Sequence, residues 1–129
     1  MTKLTISVNA GPPPKIEISE GNTKGGHVRV RNGRRVVWMA GPNVLAFDLK
    51  FDRVEEGDGA VGISDDWPFL AVKSVPAGAV NEDDCSITAA TKVTARLAPD
   101  CGVFKYTVKV VPTGGPTPAD VDPVIIVDR

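Results

Sequence analysis

Along most of this chain apolar and polar residues alternate, the signature of β-strands with one buried and one wet face. The clearest case runs from Cys101 to Val111: Phe104, Tyr106, Val108 and Val110 fall on one side, and Lys105, Thr107 and Lys109 on the other. Val124 to Val127, bounded by Pro123 and Asp128, is apolar on both sides, which predicts a central strand paired with the first. Near the start, Leu4, Ile6 and Val8 alternate with Lys3, Thr5 and Ser7 until the prolines at 12–14, which cannot donate to a ladder, end the strand. Shorter alternations follow at Ile16 and Ile18 and at Val28 and Val30.

Asn32-Gly33 is a turn signal, because both residues tolerate positive φ. It predicts a two-residue hairpin with Arg31 opposite Arg34 and His27 opposite Trp38. One face of that hairpin would gather His27, Arg29, Arg31, Arg34 and Trp38, with Arg35 beside them, into a basic and aromatic surface. Leu45, Phe47, Leu49 and Phe51 then share one side of a further strand, opposite Ala46, Asp48, Lys50 and Asp52. From about Arg53 to Ser86 the alternation fails and glycines and prolines interrupt it, so residues 53–86 are expected to form a long irregular insertion, packed back through Trp67, Phe69 and Leu70. Ile87 to Leu97, rich in Thr and in phase at Ile87, Ala89, Val93, Ala95 and Leu97, reads as one strand. No helix of three turns is predicted. Roughly seven to nine short strands with such turns imply an all-β Greek-key sandwich or barrel, a single domain over residues 1–129.

Composition narrows the function classes. A chain of 129 residues can bury a core without disulfides or metal. Fifteen Lys and Arg against sixteen Asp and Glu leave a net charge of -1, too little overall field for a dedicated nucleic-acid or membrane-surface protein. No apolar run reaches signal-peptide length or the ~20 residues of a membrane span, so the expected compartment is the cytoplasm. Cys85 and Cys101 have no metal-ligand spacing. Two reduced thiols are the expectation for a chain with no leader, and a disulfide is the alternative.

Three stretches together resemble a cupredoxin-like domain: Val30 to Trp38 with the Gly41-Pro42-Asn43 loop after it, Leu45 to Phe51, and Gly102 to Val108. The ending Asp122-Pro123-Val124-Ile125-Ile126-Val127-Asp128 resembles the last strand of copper-free bacterial members of that group. The resemblance implies a cupredoxin-like β-sandwich in which residues 28–30 and 36–38 belong to separated strands, which conflicts with the hairpin. Copper-binding members use two His, a Cys and usually a Met, a soft and asymmetric ligand set. Here Asn43 stands where the first His is expected, residues 107–115 contain no Cys, His or Met, and His27 is the only histidine. The resemblance therefore implies a scaffold without its metal, and no cofactor is expected.

Other candidate chemistry is thin. A nucleophilic site would have to recruit His27, which has no orienting partner in the sequence, so no catalytic residue is assigned and no enzyme is expected. The acids at Glu55, Glu56, Asp58, Asp65 and Asp66 and at Glu82 to Asp84 offer oxygens to calcium without an EF-hand register, and read as solvated loops. Two surfaces remain. Trp67, Phe69 and Leu70 either plug the open end of the sandwich or form an apolar contact surface. His27, Arg29, Arg31, Arg34, Arg35 and Trp38 form a candidate anion-binding face. The expected function is a non-catalytic, copper-free interaction or assembly module that binds a protein partner or a second copy of itself. The alternative is a small-ligand or anion-binding module on the arginine face.

Overall fold

The computed structural model describes residues 2–9, 11–20, 23–56, 67–76, 78–99 and 102–128. The strands, in chain order, are β1 (Thr2–Asn9), β2 (Lys15–Glu20), β3 (Thr23–Lys24), β4 (Val28–Arg31), β5 (Arg35–Ala40), β6 (Val44–Glu56), β7 (Phe69–Val75), β8 (Val80–Asn81), β9 (Ser86–Ala89), β10 (Lys92–Leu97), β11 (Gly102–Pro112) and β12 (Val124–Asp128). They form two six-stranded sheets, with orders β3-β2-β1-β5-β10-β7 in sheet I and β4-β12-β11-β6-β9-β8 in sheet II. The chain crosses repeatedly between them, giving an all-β Greek-key sandwich. Among the described residues no helix is long and apolar enough to cross a membrane.

The alternation seen in the sequence places the core. Phe104, Tyr106, Val108 and Val110 of β11 face inward, and β11 lies between β12 and β6 in sheet II. From sheet I, Leu4, Ile6, Val36, Trp38, Val93 and Ala95 pack against them, each essentially without exposure. An aromatic cluster joins the sheets: Trp38 meets Phe51, Phe69 and Tyr106 edge-on at centroid distances of 5.9, 6.0 and 5.6 Å, and Phe51 stacks on Tyr106 at 5.6 Å. Each such pair contributes about 0.5–1.5 kcal/mol beyond burial.

The hairpin at Asn32-Gly33 is not formed, although its turn is. Gly33 has φ 72° and the Arg34 N–H donates to the Arg31 carbonyl at 3.3 Å. Beyond the turn the strands part: β4 pairs in parallel with β12 in sheet II, and β5 pairs in parallel with β1 in sheet I. A hairpin would have put Val36 and Trp38 on the same side as His27 and Arg29. Crossing to the other sheet lets Val28, Val30, Val36 and Trp38 all face the core, and each large apolar side chain buried contributes roughly 1.5–3 kcal/mol. Separation of these two strands is what the resemblance implied.

Residues 87–97 are likewise two strands. β9 pairs with β6 in sheet II, the chain crosses over at Ala90 and Thr91, and β10 pairs with β5 and β7 in sheet I. The in-phase apolar positions survive the crossing because both strands face one core. Within the stretch expected to be irregular, β6 continues to Glu56 and β7 forms the edge of sheet I.

Candidate functional site

The arginine face of the sequence reading is divided by the fold. Trp38 is in the core, so it stacks on no arginine. Arg35 lies on the outer face of sheet I, whereas His27, Arg29 and Arg31 lie at the outer edge of sheet II. There Arg29 donates through Nε and Nη2 to the two Asp128 carboxylate oxygens at 2.8 and 3.1 Å, so it is already neutralised. His27 Nδ1 accepts the Val124 N–H at 3.1 Å, which assigns the ring proton to Nε2 when the ring is neutral. Arg31 and Arg34 do share a hollow of about 340 Å³ with Arg29, Val30 and Thr2.

Of Trp67, Phe69 and Leu70, the first two pack inward. Phe69 is buried, and half-buried Trp67 packs edge-on against Phe69 and Phe51 at 5.3 and 6.3 Å. Of the three residues proposed as an apolar surface, only Leu70 is open, at 64% exposure. The pairing of β10 with β7 shifts register so that Leu97 aligns with Phe69 and Arg96 with Ala71, which leaves Leu70 as the extra residue of a bulge. A bulge turns a side chain out of the alternation, which accounts for the exposure of Leu70 beside buried Phe69.

The two loops that would carry copper in the resembling domains do come together. The Thr113 N–H donates to the Asn43 carbonyl at 3.1 Å, and a hollow of about 250 Å³ between the loops is lined by Val8, Pro14, Asn43, Thr113, Gly114, Gly115 and Pro116. The donor set does not fit a soft metal. The Asn43 side-chain amide is spent on the Val8 carbonyl at 3.0 Å, and the other lining residues offer no thiolate, thioether or imidazole. Among the described residues no three His, Cys, Asp or Glu side chains come together as metal ligands.

The acids of residues 55–66 and the pairing of Cys85 with Cys101 lie outside the described side chains. The acids at 82–84 form an exposed turn in which Asn81 Nδ2 donates to Asp84 at 2.9 Å.

A surface that the sequence reading missed is the outer face of sheet I. Lys3 of β1, Arg35 of β5, Lys92 and Arg96 of β10 and Lys73 of β7 point away from the core, and those four strands contain no Asp or Glu. The signal was present strand by strand as polar positions between apolar ones. It could be assembled only once the strand order was known, because these strands are dispersed along the chain.

No family model matches the chain, and no curated protein matches it. Among solved structures, it is similar to Fet3p, a multicopper oxidase that functions in iron import, at 12% sequence identity and a TM-score of 0.46. The alignment covers 96% of this chain and 27% of that one.

Proposed function

We propose that the protein is a non-catalytic, copper-free cupredoxin-like module that binds a protein partner through sheet I. The observation that carries this reading is the open edge of that sheet: β7 pairs with β10 on one side and with no described strand on the other. An unpaired edge presents main-chain donors and acceptors that an added strand can satisfy, and exposed Leu70 stands beside them. The same edge carries Lys73 and is followed by Pro76, features that discourage pairing between identical copies. A foreign partner therefore fits it better than a second copy. Light scattering across a concentration series is expected to report a monomer, and copper incubation followed by desalting is expected to leave substoichiometric metal. Stoichiometric copper with an intense thiolate band would overturn the reading, and a concentration-dependent oligomer would turn it into self-assembly.

A second reading rests on the hollow at Thr2, Arg31 and Arg34, which suits a small anion such as inorganic phosphate. Phosphate titration followed by amide shifts is expected to saturate there, and Arg31→Gln with Arg34→Gln to abolish it. No shift at millimolar phosphate would dismiss the site.

A further inference from the structure

We propose that the outer face of sheet I is a docking surface for a protein partner presenting carboxylates around an apolar centre. This rests on the reading of the chain as a binding module and names the chemistry of what it binds. The chain holds nearly equal numbers of acids and bases, yet the fold sorts them. On sheet II, charges meet their opposites: Arg29 pairs with Asp128 at 2.8 Å, Lys109 with Asp120 at 3.8 Å and Lys105 with Asp122 at 3.9 Å. On sheet I the acids of the named strands are confined to β2, whose exposed Glu17 accepts from Asn9 Nδ2 at 3.2 Å, and β1, β5, β10 and β7 hold none.

Register makes the imbalance sharper. Arg35 of β5 stands directly opposite Arg96 of β10, and Lys3, Val37, Thr94 and Lys73 follow one another across the four strands in the next outward row. Like charges directly opposite each other on a sheet are destabilising. Sheet I retains such a pair with no described carboxylate beside it. A guanidinium group is planar and binds a carboxylate bidentately, so a carboxylate placed between Arg35 and Arg96 would turn the repulsion into attraction on binding.

The middle of the face is apolar. Val37 points outward, outside the core cluster, and is still only 4% exposed, while Met39 beside it is 38% exposed. Long basic stems lying over apolar neighbours produce such burial, and an apolar centre with a charged rim is the anatomy of a protein interface.

Other occupants fit less well. A twofold pairing of two copies through this face would set its bases against the same bases. Single-stranded nucleic acid needs stacking platforms, and none of the face-forming residues is aromatic, since Trp38 is turned into the core.

The test uses the intact chain and fluorescent poly-L-glutamate at low salt. The expected result is saturable binding, weakened roughly tenfold or more by Arg35→Glu with Arg96→Glu. Lys50→Glu with Lys109→Glu, the same charge change on sheet II, is expected to leave most of the affinity. Lys3→Glu with Lys73→Glu gives a second probe of the face, and thermal melts establish that each variant is folded. No binding, or equal losses from the two sheets, would overturn the proposal. So would tighter binding to an oligothymidylate or to phosphatidylserine vesicles, which would give the face to nucleic acid or to a membrane. Any of these results in a monomeric protein that retains no copper would overturn the acidic partner while leaving the binding-module reading in place.

Discussion

Tyr106 of β11 ties down the connection between β3 and β4 with a single hydroxyl. It donates to the carbonyl of Gly26, a buried residue with φ 77° whose missing Cβ would lie 2.9 Å from the Tyr106 hydroxyl oxygen and 3.0 Å from Ile18. Removing the hydroxyl with Tyr106→Phe leaves the carbonyl unpaired, so equilibrium unfolding is expected to show a loss of about 1–3 kcal/mol. Burial raises the Tyr106 pKa far above its ordinary value of 10.0; the nearby Trp38 indole opposes the shift, and Glu20 adds to it. The Trp38 Nε1 itself reaches no acceptor in hydrogen-bond geometry, so that opposing effect is weak. The folded state thus keeps a proton that the unfolded chain releases near pH 10. The resulting stability is complete below pH 10 and is lost as pH rises above it. Melts of the wild type and Tyr106→Phe are expected to converge above pH 10, and curves that stay parallel would contradict the assignment. That Tyr106 faces inward could be read from its strand. Its partner could not, because the bond closes across 80 residues.

Among the elements, β11 behaves as its sequence says. Phe104→Ala is expected to cost about 3–5 kcal/mol. Lys105→Ala and Lys109→Ala, each removing one exposed or half-exposed ion pair, should cost about 1 kcal/mol or less. Denaturant melts in which Lys105 and Phe104 substitutions are equally harmful would contradict the one-sided burial of the strand. Parity fails where register slips. Leu45, in phase with Phe47, Leu49 and Phe51, is nevertheless 59% exposed, because the β11–β6 ladder passes from Ala46 to Val44 and leaves it in a bulge. Leu45→Ala is therefore expected to change stability by about 0.5 kcal/mol or less, against a loss of about 3–5 kcal/mol for Phe47→Ala. The same contrast explains how much could be read in advance. Alternation identified the inward faces of β1, β2, β6 and β11, whereas β12, apolar on both sides, showed only that it lies inside a sheet. Whether a turn joins neighbours or sends the chain to the opposite sheet depends on burial summed over the whole sandwich, which Asn32-Gly33 does not encode.

At the scale of the molecule, a net charge of -1 conceals the feature on which the functional account turns. The basic surface expected around Arg29, Arg31, Arg34 and Trp38 loses its aromatic to the core and one arginine to Asp128. Arg35 instead joins Lys3, Lys73, Lys92 and Arg96, drawn from strands far apart in sequence, on β1, β5, β10 and β7, which contain no acid. Such exposed bases interact with a partner through solvent, so their effect should weaken as salt screens it, over a Debye length of about 8 Å at physiological ionic strength. The most direct measurement is an amide chemical-shift map of the isotopically labelled protein during titration with poly-L-glutamate. The account predicts perturbations confined to β1, β5, β10 and β7, greatest around Arg35 and Arg96 and fading with added salt. Perturbations centred instead on β4 and β12, around Arg29 and Arg31, would contradict it.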